Sequence, residues 1–196
     1  MKEQKIKTMG NLSRDIKDGR IRPTSNKVRE ALFNILREKI INAGFLDLYA
    51  GTGAVGIAAL KEGASGVVFV ESVRSYAGEI ETLLKKFDFA GEASIITKKA
   101  LSYIDWAEAG GLSFDIIFLD PPYHTDEIIR VLTVIGKSRI LAHDGIVIAE
   151  HFVKKLLPDR FNTLSKIKDY NYGDTVLSFY SECIKEDNVS DSGSRG

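Results

Sequence analysis

From Phe45 onward the chain alternates short, almost wholly apolar runs with longer stretches whose apolar residues recur three or four positions apart. The apolar runs cover residues 45–49, 67–70, 94–96, 115–119 and 145–149. Such near-continuous apolarity fits strands buried on both faces. Between them, residues 54–61, 75–87, 100–109 and 127–138 have helical length and polar faces. In the second of these, Tyr76, Ile80, Leu83, Leu84 and Phe87 fall at helical spacing, as an amphipathic helix lying on a sheet requires.

Strand and helix alternating in this way predict right-handed βαβ units in an α/β, Rossmann-like, doubly wound sheet of seven mostly parallel strands. The end of the chain breaks the rhythm. Residues 164–172 and 175–181 are strand-like and separated only by Gly173-Asp174, so they must form an antiparallel hairpin. Upstream, Pro23 precedes the cap candidates Thr24, Ser25 and Asn26, after which Val28, Ala31, Leu32, Ile35 and Leu36 mark one helix face. The polar tail 185–196, rich in Ser, Asp and Gly, predicts disorder. The expected organisation is an N-terminal arm and helix over 1–40, one α/β domain over 41–183 and a tail over 184–196.

A length of 196 residues suits one domain with a core that needs no staples. The single cysteine, Cys183, excludes an internal disulfide framework and a multi-cysteine zinc site, and fits a reducing compartment. No apolar run approaches membrane-spanning length, and the start Met1-Lys2-Glu3-Gln4-Lys5 lacks the apolar core of a signal peptide. A cytoplasmic, monomeric protein without a membrane partner is expected. Net charge is zero, yet residues 1–39 carry 11 Lys+Arg against 5 Asp+Glu, and the remainder 16 against 22. A net of +6 followed by −6 suggests a basic arm that meets a polyanion; a solvated basic helix gives the same count.

The first strand runs into Gly51-Thr52-Gly53-Ala54-Val55-Gly56, a G-x-G-x-x-G turn that opens a helix. Glycines there permit close backbone approach to a ligand over the helix N-terminus. Glu71, 20 positions after Gly51, ends the second strand where a carboxylate can accept from ribose hydroxyls. These features suit NAD and S-adenosylmethionine alike. Asp47, four residues before Gly51, favours the second: it would repel a pyrophosphate but attract a cationic amino-acid cofactor.

The fourth strand ends in Asp120-Pro121-Pro122-Tyr123. The carboxyl edge of an open α/β sheet is where ligands bind, and two prolines stiffen the turn. The Asp120 carboxylate and the Pro121 carbonyl then form a pair of acceptors suited to a planar NH₂ group. Held by both hydrogens, an exocyclic amine can turn its lone pair out of the base ring, with Tyr123 stacked on the base. A simple rigid loop is the alternative reading of the same four residues. His124, His143 and His151 lack metal-ligand spacing and fit loop or surface roles, so no metal is expected. Cys183 has no evident base partner, Asp115 fits a backbone-orienting role, and Trp106 fits packing.

Three segments carry a family resemblance: Arg22-Pro23-Thr24 with Val28-Arg29-Glu30-Ala31-Leu32-Phe33-Asn34-Ile35-Leu36, the run from Asp47 to Gly56, and Phe118-Leu119-Asp120-Pro121-Pro122-Tyr123. Together they resemble the bacterial RsmD-type methyltransferases, which transfer a methyl group from S-adenosylmethionine to N2 of a guanine in 16S ribosomal RNA of the small subunit. The likeness spans about residues 10–181. It implies a cofactor set of Asp47, Ala50, Gly51, Thr52, Gly53, Glu71, Ser72, Ala100 and Asp120. Asp120, Pro121 and Tyr123 are the implied catalytic residues. Arg20, Arg22, Thr24, Lys27 and Arg29 are the implied RNA contacts. Two positions depart from the family pattern. The stretch Gly10–Gly19 is short and includes Asp15 and Asp18 where the family has a basic hairpin. Lys99 stands where the family tends to be acidic, which leaves the cofactor's adenine to backbone or apolar contacts or lowers affinity. Methylation of an adenine amine, or a non-catalytic cofactor-binding relative, are the alternatives.

Overall fold

A computed structural model describes residues 25–123 and 125–183. The first helix, α1 (Asn26–Leu36), starts where Ser25 Oγ accepts from the Val28 amide at 3.3 Å. A short 3₁₀ turn, Arg37–Ile40, leads into β1 (Gly44–Leu48). There follow α2 (Ala54–Lys61), β2 (Gly66–Val70), α3 (Arg74–Phe87), β3 (Ala93–Ile96), α4 (Ala100–Ala109), β4 (Phe114–Leu119) and α5 (Glu127–Ile135). The chain closes with β5 (Leu141–Phe152), β6 (Arg160–Phe161), β7 (Leu164–Tyr172) and β8 (Thr175–Glu182).

The strands form one sheet in the order β3-β2-β1-β4-β5-β8-β7-β6. β1 to β5 are parallel; β8 pairs antiparallel with both β5 and β7. Strand order reverses between β1 and β4, the switch point at which open α/β sheets bind ligands. Alternation along the strands sends Phe45, Phe69, Phe118 and Ile148 toward α1, α2 and α3 on one face. It sends Leu46, Leu48, Ile117, Leu119 and Val147 toward α4 and α5 on the other.

Four expectations are corrected here. The sheet has eight strands rather than seven, because the two-residue β6 edge pairs with β7 and buries Phe161. β5 runs well beyond residues 145–149, and its last three residues, Glu150–Phe152, pair with β8. α5 ends at Ile135, not Ser138, as the amides of Lys137 and Ser138 turn to the Val134 and Ile135 carbonyls in tighter three-residue turns; Gly136 there lies against the Phe161 carbonyl, where any Cβ would collide. Trp106 is 49% exposed, with the Tyr103 ring 5.7 Å away between centroids and Lys98 Nζ over the indole at 5.1 Å. The hairpin turn at Gly173 (φ 63°) is as expected. Among the described residues no helix is long and apolar enough to cross a membrane, and no cluster of three metal-binding side chains occurs.

Candidate functional site

The site lies at the carboxyl edge of the sheet beside the switch point. Leu48 is level with Val70 on one side and Leu119 on the other, and Leu119 is level with Ala149. An acidic residue follows each of the apolar runs 68–70, 117–119 and 147–149: Glu71 just past β2, Asp120 just past β4 and Glu150 within β5. Asp47, within β1, belongs to the same face.

Between β1 and α2 the backbone turns sharply, with Tyr49 (φ 65°) and Gly51 (φ 53°) left-handed. That conformation is strained for a bulky tyrosine. Ties from neighbouring strands hold the turn: the Ala50 amide donates to the Val70 carbonyl at 3.1 Å, and the Gly51 amide to Glu71 Oε2 at 2.8 Å. A Cβ at Gly51 would meet only the Tyr49 carbonyl, at 3.9 Å, so the backbone here borders open space. Gly56 is different. A Cβ there would overlap the Phe69 ring, which is how α2 lies so close to β2. Its amide donates to Asp47 Oδ2 at 2.9 Å.

Glu71 is buried and occupied on both oxygens. Oε1 accepts from the Val73 amide at 2.8 Å and from Ser72 Oγ at 3.4 Å. A carboxylate has about four acceptor sites, so capacity for a ligand hydroxyl is left. Ser72 itself is exposed, whereas Ala100 is buried as the first residue of α4, after Lys99. Thr52 is half-buried in the turn.

Asp47 is 1% exposed, and burial, reinforced by the charge of Glu71 and opposed by the Gly56 amide, pushes its carboxyl up to about 7. Asp120 also lies well above the usual carboxylate range, first through burial and then through the charges of Glu150 and Asp47. Burying like charges together without a counterion is costly. A cationic ligand relieves that cost and a pyrophosphate aggravates it, so these donors fit S-adenosylmethionine, with its sulfonium and ammonium, and not NAD.

Pro121 is buried and Pro122 exposed; the turn closes as Thr125 donates to the Pro122 carbonyl through both its amide (3.2 Å) and its hydroxyl (2.9 Å). Tyr123 is half-buried, its ring 6.4 Å from that of Phe152 at an interplanar angle of 26°. Its hydroxyl donates to Glu150 Oε1 at 3.2 Å, and burial with two nearby carboxylates raises its pKa. Lys155, beyond β5, donates to the Thr125 carbonyl and to Asp126 Oδ1 at 2.9 Å, stapling the loop after the tetrad.

The expected cofactor and catalytic residues therefore converge on one edge. The RNA contacts divide. Lys27 is exposed and Arg29 half-buried on α1, Arg29 donating to Asn26 Oδ1 at 2.8 Å, whereas Arg20, Arg22 and Thr24 lie outside the described residues, as do His124 and the tail 184–196. His143 is at the surface, but His151 is buried, against expectation, with Nε2 2.7 Å from Ser178 Oγ. Asp115 orients backbone as expected, accepting from the Gly44 amide at 2.8 Å. Glu150, Phe152 and Lys155 were not foreseen. A signal for Glu150 exists: the runs Val68-Phe69-Val70-Glu71, Ile117-Phe118-Leu119-Asp120 and Val147-Ile148-Ala149-Glu150 end alike.

The chain is similar to known proteins over most of its length. The family described as conserved hypothetical protein 95 matches residues 9–181. YlbH of Bacillus subtilis is 31% identical over 161 residues, 82% of this chain and 88% of that protein. Ribosomal RNA small subunit methyltransferase D of Escherichia coli is 31% identical over 138 residues, 70% of this chain and 68% of that one. The solved structure of yhhF from Escherichia coli superposes with a TM-score of 0.73 at 26% identity, covering 83% of this chain and 88% of that chain. The chain belongs to the conserved hypothetical protein 95 family, the family of the RsmD-type methyltransferases.

Proposed function

We propose that this protein is an S-adenosylmethionine-dependent ribosomal RNA methyltransferase, and that its target is the exocyclic N2 amine of a guanine in 16S ribosomal RNA. The observation that carries the reading is the convergence of a Gly51–Gly53 cradle, buried acidic groups and the Asp120–Tyr123 turn at one switch point. The relative in Escherichia coli named for small-subunit ribosomal RNA supports the substrate class.

The cofactor supplies an electrophilic methyl group on a sulfonium centre. Asp47, Gly51, Thr52, Gly53 and Glu71 would hold it, with Ala50, Ser72 and Ala100 along the rim. Asp120 and the Pro121 carbonyl accept the two amine hydrogens, which turns the nitrogen lone pair away from the ring. After transfer the surplus proton passes to the Asp120 carboxylate, whose raised affinity for protons suits it to receive one. Tyr123 presents a flat face for a base taken out of its stack.

The same reading assigns residues 1–40 to gripping RNA, with Arg20, Arg22, Thr24, Lys27 and Arg29 as phosphate contacts. It takes the small ribosomal subunit as acceptor and has a monomer acting in the cytoplasm. Titration calorimetry with S-adenosylhomocysteine and with NAD, paired with labelled methyl transfer to small-subunit RNA, tests it. Binding of the homocysteine analogue and label in the RNA are expected. NAD binding without analogue binding would overturn the cofactor assignment.

A further inference from the structure

β5 carries a carboxylate into the site that the reaction described above does not yet use. Glu150 is 2% exposed, one position beyond Ala149, as Asp120 is one position beyond its partner Leu119. Asp120, just past β4, and Glu150, within β5, lie at the same level of neighbouring parallel strands and on the same face, that of Phe118 and Ile148. An acid retained in such a place needs partners. One is the Tyr123 hydroxyl, which donates to Oε1 at 3.2 Å. The Tyr123 ring meanwhile rests beside Phe152, two residues further along β5. The Tyr123 hydroxyl also meets the Thr175 side chain at the start of β8, so the tyrosine is tied at its tip to two paired strands and along its face to β5.

We propose that Glu150 is a positioning residue for methyl transfer: its carboxylate anchors the Tyr123 hydroxyl and so sets the plane against which the target base stacks. This rests on the methyltransferase reading above. A ring free to rotate about its side-chain bonds would present the amine to Asp120 in many orientations, and loss of alignment of this kind costs rate rather than cofactor affinity. Glu150 has a second consequence through space. Its charge is one cause of the high proton affinity of Asp120, together with burial and Asp47. Removing the charge while keeping an acceptor lets Asp120 ionise at lower pH.

The test uses the full chain, small-subunit RNA and four variants: Glu150→Ala, Glu150→Gln, Tyr123→Phe, and Tyr123→Phe combined with Glu150→Ala. Affinity for S-adenosylhomocysteine is expected to stay within about threefold throughout, because none of these groups holds the cofactor. Glu150→Ala and Tyr123→Phe should each lower kcat on the order of 10- to 100-fold, and the double variant should lose no more than either. Glu150→Gln, whose amide oxygen still accepts from the hydroxyl, should keep kcat within about threefold and move the acid limb of the rate profile to lower pH. Tyr123→Phe interrogates the same bond from its other end, so an unfolded Glu150→Ala does not spare the proposal. Undiminished turnover in Tyr123→Phe, additive losses in the double variant, or an unshifted acid limb in Glu150→Gln would overturn it. Wild-type protein that transfers no methyl group would instead remove the underlying reading.

Discussion

Replacing Glu71 by alanine should destabilise the protein before any ligand is involved. The Glu71 carboxylate accepts from the Gly51 and Val73 amides, both at 2.8 Å, and spans the gap between β2 and the glycine turn. Hydrogen bonds to a charged group contribute about 1.5–3 kcal/mol each. The Gly51 amide is buried and would be left without this acceptor, whereas Val73 is exposed and can turn to water. One bond is thus lost in full and one in part, and relief of the repulsion on Asp47 returns some of it. The expected net loss is about 2–4 kcal/mol, or roughly 4–16 °C in Tm for a chain of this size. Thermal melts of the ligand-free variant measure this, and calorimetry with S-adenosylhomocysteine reads the binding loss separately. A variant that melts with wild-type protein yet fails to bind would show that Glu71 acts only as a ligand, and would refute its role as the tie that holds the loop.

The remaining predictions concern charge, packing and the arm. Because burial raises Asp47 from an unfolded value of about 3.9 to about 7, the folded state binds the extra proton between those limits. The group's contribution therefore favours folding most at the acid end of that window and declines as pH rises through it. Melts of ligand-free Asp47→Asn should show a shallower fall in Tm toward pH 8 than wild type; identical slopes would place the titration elsewhere. Gly56→Ala should cost about 1–3 kcal/mol in urea denaturation, since its Cβ meets the Phe69 ring. Gly78→Ala, in α3 with open space around the added methyl, should instead gain about 0.5–1 kcal/mol. Arg20→Ala with Arg22→Ala should weaken RNA binding and flatten its salt dependence; an unchanged slope would mean that the arm does not contact phosphate.

The degree to which the chain's pattern foretells its structure varies with local physics. α2 and α4 begin and end where periodicity places them, because a glycine turn and a strand exit bound them on one side and the glycines Gly63 and Gly110-Gly111 on the other. The extension of β5 was hidden: Glu150, His151 and Phe152 look like the polar start of a loop until β8 is known to pair with them. β6 was invisible for another reason. Two residues are too few to show alternation, and only the burial of Phe161 against Tyr180 marks them. Of the site, Asp47, Gly51–Gly53, Glu71 and Asp120 were legible because turn chemistry and charge placement are local in sequence. The carboxylate that holds Tyr123 was not, since its meaning arises only from the β4–β5 register.

The central claim is that Asp120 orients a guanine amine for methylation. Small ribosomal subunits lacking the modification, incubated with the protein and S-adenosylmethionine, can be digested and their nucleosides identified by mass spectrometry, with Asp120→Ala in parallel. N2-methylguanosine formed by the intact protein and abolished in the variant, with homocysteine-analogue binding retained, is the predicted result. N2-methylguanosine formed equally by both proteins, or N6-methyladenosine in its place, would contradict the account.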